Sequence, residues 1–364
     1  MKINAANERI KYEYFGYLKE ANQLGTQSID AVAKALDRFE TYTGRTDFKR
    51  FRREQAVAFK ARLANQLSTR TGEKLSKATV RSTLLALKAF FLWLAREPGY
   101  RSHLQYDDGK FFNMSLKDTA VATAAREPHV PTLEQVRDVI LGMPTATVFE
   151  RRSRAVIAFI LLTGARDDAA ASMRLKHVDL AQGQVFQDAL QVRTKFSKSF
   201  PTFFFPVGDD IVAILADSIG GLKTDHGFSL DDPLFPPTRM GPGGDGNFIG
   251  LGFERECWTT AAPIRAIFKA AFEGAGLVYF NPHSIRKTLT RLGMGLGLGD
   301  DGMKAWSQNL GHDDVQTTYR SYGSLPTERQ RDLIRAAAHA NDDDRLALEL
   351  GRAALAAARA KQKA

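Results

Sequence analysis

Six residues in the second half of the chain have types that could do chemistry together. They are Arg166, Lys195, His283, Arg286, His312 and Tyr322. Arginine offers a planar fork of N–H donors that suits phosphate, histidine and lysine transfer protons, and a tyrosine hydroxyl can act as a nucleophile. The set therefore suits the transfer of a phosphoryl group, provided that the fold brings the six side chains together.

Arg166 and the hairpin lysines also have ordinary structural interpretations. Arg166 follows an apolar run and a glycine turn, so it could form a salt bridge with Asp167 or Asp168. Lys195 occurs in RTKFSKS, where a strand turn would leave it exposed to solvent, and Lys198 competes for the same role. Neither residue is therefore sufficient by itself to indicate a catalytic role.

The histidines and tyrosines have alternatives of the same kind. The spacing of His283 and Arg286 puts both on one face of a helix, but HxxR occurs by chance in many proteins. His312 follows a glycine and could cap a helix or satisfy the core. Tyr319 and Tyr322 could simply pack. The elements that position these residues, and their order along the chain, therefore carry more weight.

The second half of the chain predicts a mixture of helices and a small sheet. RSRAVIAFILLTGAR is an apolar helix that runs into a glycine turn. Residues 178–207 alternate and are rich in β-branched and aromatic residues, which predicts two or three antiparallel strands. We expect residues 231–253, with Pro-Pro and GPGGDG, to form a loop, and the segments that carry the histidines to be helical.

The first hundred residues predict four amphipathic helices, the last of which ends at Pro98-Gly99. The sequence thus predicts a mainly α protein with a small antiparallel β-sheet. Its parts are a helical unit over residues 1–100, a linker over 101–130, a second unit over 131–335 and a helical tail over 336–364.

Charge separates the two halves of the 364-residue chain, whose net charge is +10. Residues 1–130 hold 23 Lys and Arg against 14 Asp and Glu, whereas residues 131–364 hold 28 against 27. A basic unit joined to a neutral one is typical of proteins that bind nucleic acid, although an ordinary basic surface exposed to solvent would give the same charge distribution.

The chain has no run of ~18–20 apolar residues and no apolar signal core, so we expect a cytoplasmic protein. Its single cysteine, Cys257, excludes an internal disulfide.

The order of the chemical residues resembles that of the tyrosine recombinase (phage integrase) family. Members typically show a TGxR turn, a lysine on a β-hairpin, an HxxR helix and an LGHxxxxTTxxY segment. Here these motifs read TGAR at 163–166, RTK at 193–195, HSIR at 283–286 and LGHDDVQTTYRSY at 310–322. The resemblance extends from residue 8 to about residue 335.

The resemblance implies a helical core-binding domain over residues 1–100, which grips double-stranded DNA, and an α+β catalytic domain over 131–335. It implies a site-specific recombinase or integrase of a mobile element, located on the bacterial nucleoid. The enzyme would assemble as a homotetramer on paired sites and would need no cofactor and no metal. The alternatives are a catalytically inactive DNA-binding relative, an enzyme like a type IB topoisomerase or a telomere resolvase, and a generic helical interaction protein.

The resemblance also assigns roles to the site residues. Arg166 and Arg286 would hold the phosphate oxygens, and His312 would donate a hydrogen bond to the same phosphate. His283 would take the proton of the nucleophile, and Lys195 would protonate the leaving 5′-oxygen. The product would be a 3′-phosphotyrosine link.

The spacing of the nucleophile departs from the family pattern. The family tyrosine lies nine residues after the LGH histidine, where this chain has Ser321. We take Tyr322, at ten residues, as the nucleophile, because it follows the threonine pair at nearly the usual distance and Gly323 permits an irregular backbone. Tyr319, at seven residues, is the alternative.

A second departure concerns the residues after the first arginine. Ala169 stands where the family often has a glutamate. Asp167 and Asp168 are the candidates for the bracing role of that glutamate.

Overall fold

The computed structural model describes residues 3–69, 71–124, 129–244, 247–322, 331 and 335. Contacts divide the chain into two compact units, Met1–Ala124 and Ala125–Ala364. The predicted tail over 336–364 lies outside the described residues. Within those residues, no helix is long and apolar enough to cross a membrane.

The first unit is helical, and its four predicted helices are confirmed. Its helices are α1 (Ala5–Glu20), α2 (Thr26–Tyr42), α3 (Arg53–Asn65), α4 (Lys77–Leu94) and α5 (Leu116–Thr123), with short 3-10 helices at Phe48–Arg50 and Tyr106–Phe112. Phenylalanine rings fill the core: Phe39, Phe91 and Phe112 lie with centroids 5.2–5.6 Å apart. Phe112 and α5 belong to the segment predicted as a linker, so ordered helical structure continues past residue 100.

The second unit combines eight helices and two small sheets within the described residues. Its helices are α6 (Leu133–Gly142), α7 (Val148–Thr163), α8 (Asp167–Ser172), α9 (Asp209–Thr224), α10 (Ala262–Gly274), α11 (Pro282–Gly295), α12 (Asp300–Asn309) and α13 (Val315–Tyr322). Its strands are β1 (Val178–Asp179), β2 (Gln184–Gln187), β3 (Phe200–Phe203), β4 (Thr238–Pro242) and β5 (Phe248–Phe253). The mainly α fold class with small antiparallel sheets is confirmed.

Helix α7 is the centre of the second unit. It starts with a capping box, in which Thr147 and Glu150 satisfy each other's backbone N–H groups at 2.7 and 3.2 Å. The residues from Ala155 to Thr163 are all buried, so the second half of the helix is surrounded by protein. A helix that is apolar on every side belongs in a core, which is why the neighbouring helices pack around it.

The predicted antiparallel sheet is present in the order β1-β2-β3, and 3-10 residues Lys195–Ser197 lie in the β2–β3 connection. The predicted loop over 231–253 is wrong, because β4 and β5 pair there as a second hairpin. Proline and glycine in this segment are typical of loops, but GPGGDG lies largely between the two strands, and the register shifts at Arg239/Met240.

Candidate active site

Arg166 follows a left-handed turn that favours glycine. Helix α7 ends at Thr163, and its C-cap residue Gly164 has a φ of +60°; a Cβ atom at Gly164 would lie 2.8 Å from the Leu310 side chain. Two residues later Arg166 is the N-cap residue of α8. Burial lowers the pKa of the half-buried Arg166 guanidinium.

The carboxylates after Arg166 bind other partners. Asp167 lies 2.6 Å from Arg265, and Asp168 lies 2.9 Å from Arg193. Arg166 has no ion pair with either, so among the described residues neither the salt-bridge alternative nor the bracing role is observed. Asp168 instead pairs with Arg193, which lies two residues before Lys195 in the middle of the β2–β3 connection.

Arg286 joins two turns of the site. Helix α11 is capped by Asn281, which accepts from the Ser284 backbone N–H at 3.1 Å. Arg286 is only 5% exposed, and its Nη1 donates to the Gly164 carbonyl. Its Nη2 donates to the Leu310 carbonyl at 2.5 Å. One buried guanidinium thus connects the turn that precedes Arg166 with the turn that carries His312.

His312 follows α12 and Gly311, whose φ is +68°. Its Nε2 lies 3.0 Å from Arg286 Nη2, and its Nδ1 lies 2.8 Å from Thr318 Oγ1. Because a guanidinium can only donate, Nε2 accepts and Nδ1 carries the proton. The buried Thr318 hydroxyl then donates to Ser307 Oγ at 2.8 Å. The imidazole is therefore held at both nitrogens.

The electrostatics of the site favour an anion. Burial, and then the charge of Arg166, lower the pKa of Arg286 to about 9. Burial, followed by Arg286 and Arg166, lowers the pKa of His312 to about 4, so the ring is neutral at pH 7. Neither arginine has a carboxylate partner in the part of the chain that the structure describes. Two desolvated cations without a counter-charge are relieved when an anion binds.

His283 lies one turn before Arg286 on α11. Burial lowers its pKa, and Arg286, Lys287 and Arg166 lower it further, although much of the residue's surface remains accessible. A neutral, accessible imidazole at the rim can accept a proton. Arg166, His283, Arg286 and His312 are thus within electrostatic range of one another, as the motif order predicts.

The hairpin that carries Lys195 lies beside the His312 turn. Lys195 begins the 3-10 turn between β2 and β3 and is exposed. Lys198, its competitor, makes an ion pair with Asp313, the residue after His312. The ion pair connects the loop of Lys195 to the turn of His312.

The last candidate residues are in α13. Thr318 is fully buried, whereas Tyr319 is 43% exposed. Tyr322 is the final residue of α13, and its side chain is not among those described. The threonine pair belongs to the sequence motif, but the motif gives Thr318 no role, and the sequence contains no signal for Ser307, which completes the chain of hydrogen bonds to His312.

Within the described residues, no three His, Cys, Asp or Glu side chains form a group that could hold a metal ion. No family model matches the chain. It is 24% identical over 270 residues to tyrosine recombinase XerC of Halalkalibacterium halodurans, a match that covers 72% of this chain and 76% of that protein.

Two solved structures share the fold. The Tn1549 transposon integrase in complex with transposon right end DNA has a TM-score of 0.57 at 16% identity, covering 90% of this chain and 99% of that one. XerH recombinase bound to difH substrate has a TM-score of 0.56 at 17% identity, covering 89% and 83%.

The resemblance to tyrosine recombinases, or phage integrases, that the sequence predicts is confirmed: the chain is similar to a tyrosine recombinase over most of its length and shares the fold of the two DNA-bound structures.

Proposed function

We propose that the protein is a site-specific DNA recombinase that cuts and rejoins DNA through a covalent 3′-phosphotyrosine intermediate. The observation that carries the proposal is the cluster of Arg166, Arg286 and His312, in which two cations that pair with no carboxylate of the described residues meet a neutral imidazole. Such a cluster suits a phosphate whose negative charge increases in the transition state. Its relatives by fold include an integrase and a recombinase solved in complex with DNA.

The cleavage step uses each residue once. The hydroxyl of Tyr322 attacks the scissile phosphorus, a P–O bond to the phenol forms, and the bond to the 5′-oxygen breaks. His283 accepts the phenol proton, and Lys195 gives a proton to the leaving oxygen. Arg166 and Arg286 neutralise the equatorial oxygens. Rejoining reverses these transfers with a second 5′-hydroxyl, so the bond energy is retained.

His312 must change its hydrogen bonds when DNA binds. In the free site its Nε2 accepts from Arg286, so it can donate to a phosphate only after Nε2 gains a proton. The negative phosphate favours that gain because it raises the pKa of the imidazole. Thr318 supports both states, since its hydroxyl oxygen accepts from the Nδ1–H of the neutral ring and of the imidazolium alike.

Position 322 suits the nucleophile better than position 319. In α13 it follows Thr318 by four residues, about one helical turn along the same face. Position 319 is rotated from Thr318 by about 100°. Because Thr318 bonds to His312, its face of the helix is the one that meets the site.

DNA is the proposed partner, gripped by the basic first unit, and we further propose a homotetramer on two paired sites. A duplex with a nick close to the scissile phosphate traps the intermediate, since the small 5′ product diffuses away. Pooled duplexes from the DNA that flanks the protein's own coding sequence supply the candidate sites.

The wild type should form a covalent adduct, and Arg286→Ala should form none. Lys304→Ala, which removes an exposed lysine of α12, is the matched control and should behave as the wild type. Tight binding to a confirmed site without an adduct would instead indicate an inactive DNA-binding relative. Relaxation of plasmids without any site preference would indicate a topoisomerase.

A further inference from the structure

The side chain of Asn309 pairs with the backbone of the hairpin strand β3. The Phe203 backbone N–H donates to Asn309 Oδ1 at 2.7 Å, and Asn309 Nδ2 donates to the Phe203 carbonyl at 2.9 Å. Strand β3 is the edge of its sheet, so these two backbone groups face away from β2. Asn309 thus takes the place of a neighbouring strand at one residue.

Three more contacts join β3 and its loop to the segment 309–313. The Thr202 hydroxyl donates to the Asn309 carbonyl at 3.3 Å. Gly311 lies against the Phe200 ring so closely that a Cβ atom would be 2.5 Å from it. Lys198 pairs with Asp313. The strand that follows Lys195 is therefore attached directly to the turn that carries His312.

We propose that Asn309 is a positioning residue, which holds the hairpin of Lys195 in register with His312 during cleavage. The inference rests on the proposed function, in which Lys195 protonates the leaving oxygen while His312 holds the phosphate. Among side chains of this size, a primary amide offers the required acceptor and donor together. Aspartate keeps only the acceptor, and leucine keeps neither.

The proposal is tested with two DNA substrates that differ in one atom. One has the natural 5′-oxygen at the scissile bond, and the other has a bridging 5′-sulfur. A thiol has a pKa of about 8.5, far below that of an alcohol, so a thiolate leaves without the help of a proton donor. A defect that acts through Lys195 should therefore disappear on the sulfur substrate, whereas a general structural defect should persist.

The variants are Asn309→Leu, Asn309→Asp, Lys195→Ala and Gln308→Leu. A general acid contributes ~10²–10⁴-fold, so displacing it should slow cleavage of the oxygen substrate by about 10- to 100-fold in Asn309→Leu. On the sulfur substrate this variant should come within about threefold of the wild type. Gln308→Leu removes the adjacent exposed amide and should match the wild type on both substrates.

Equal slowing of Asn309→Leu on both substrates, or no slowing on either, would overturn the positioning role. If Asn309→Leu lacks a cooperative thermal transition, Asn309→Asp is compared on the two substrates instead. We expect it to cleave the oxygen substrate more slowly than the wild type, by a smaller factor, and to cleave the sulfur substrate at the wild-type rate. If the sulfur substrate does not restore the cleavage rate of Lys195→Ala, the proposed role of Lys195 is wrong, and the inference about Asn309 is wrong as well. If sulfur restores Lys195→Ala but not the Asn309 variants, only the inference fails.

Discussion

Replacing Arg166 with glutamine should stabilise the folded protein while it abolishes DNA cleavage. The guanidinium of Arg166 is half-buried, has no ion pair with Asp167 or Asp168, and lowers the pKa of Arg286. In the absence of DNA, the charge of Arg166 therefore repels that of Arg286 without a compensating attraction. Sites that bind charged substrates are commonly held at such a cost in stability.

The size of the effect follows from Arg286. A fall in its pKa to about 9 corresponds to about 5 kcal/mol against the charged form. Burial is the larger cause of the lowered Arg286 pKa and the charge of Arg166 is the second, so removing that charge relieves less than half of the 5 kcal/mol. Lost packing of the arginine stem reduces the gain, which leaves about 1 kcal/mol. For a unit of this size that is an increase in Tm of about 2–4 °C.

Thermal unfolding in a buffer of monovalent ions, together with covalent trapping on DNA, measures both effects. Lys304→Gln removes an exposed cation from α12 and is the control, with an expected change in Tm of less than about 1 °C. A decrease in Tm of several degrees in Arg166→Gln would refute the reasoning, since Arg166 would then hold the fold together.

Three further predictions concern pH, the threonine and salt. His312 has a folded pKa of about 4 against about 6.5 unfolded, so the stability that it contributes is present above pH ~6.5 and is lost as the pH falls towards 4. After a discount for the partial exposure of His312, this contribution to the free energy of unfolding is about 1–2 kcal/mol. In urea unfolding, His312→Gln should therefore lose less stability between pH 7 and pH 5 than the wild type. An equal loss of stability in both proteins would contradict the lowered pKa of His312. Thr318→Val should lose about 1–3 kcal/mol of stability and slow cleavage, because it removes the buried partner of His312, whereas Thr145→Val, at an exposed threonine far along the chain from the site, should change neither. The Kd for DNA should rise by at least ~10³-fold between 50 and 200 mM salt, as for proteins that make six or more phosphate contacts, and a flat titration would argue against the basic unit as the DNA grip.

Periodicity was sufficient to predict most of the helices. The four helices of the first unit, the apolar α7 and the alternating β2 and β3 strands all follow from local spacing. The β4–β5 hairpin was missed because glycine and proline dominate its segment, and strand pairing depends on a partner that local composition does not show.

The site was predictable in its members but not in its connections. The order of the motifs identified four residues that the structure brings within electrostatic range: Arg166, His283, Arg286 and His312. Arg286, however, is held by the Gly164 and Leu310 carbonyls, and backbone acceptors leave no mark in a sequence. The contact of Asn309 with β3 spans 106 residues, so no local pattern could reveal it.

The most direct test of the central claim is to find the residue that becomes attached to DNA. The trapped adduct is digested with protease and nuclease, and the modified peptide is mapped by mass spectrometry. We predict a nucleotide on Tyr322, and Tyr322→Phe should form no adduct. A nucleotide on Tyr319 would contradict the assignment of the nucleophile. No adduct at all, with tight binding to a confirmed site, would contradict the proposed enzyme.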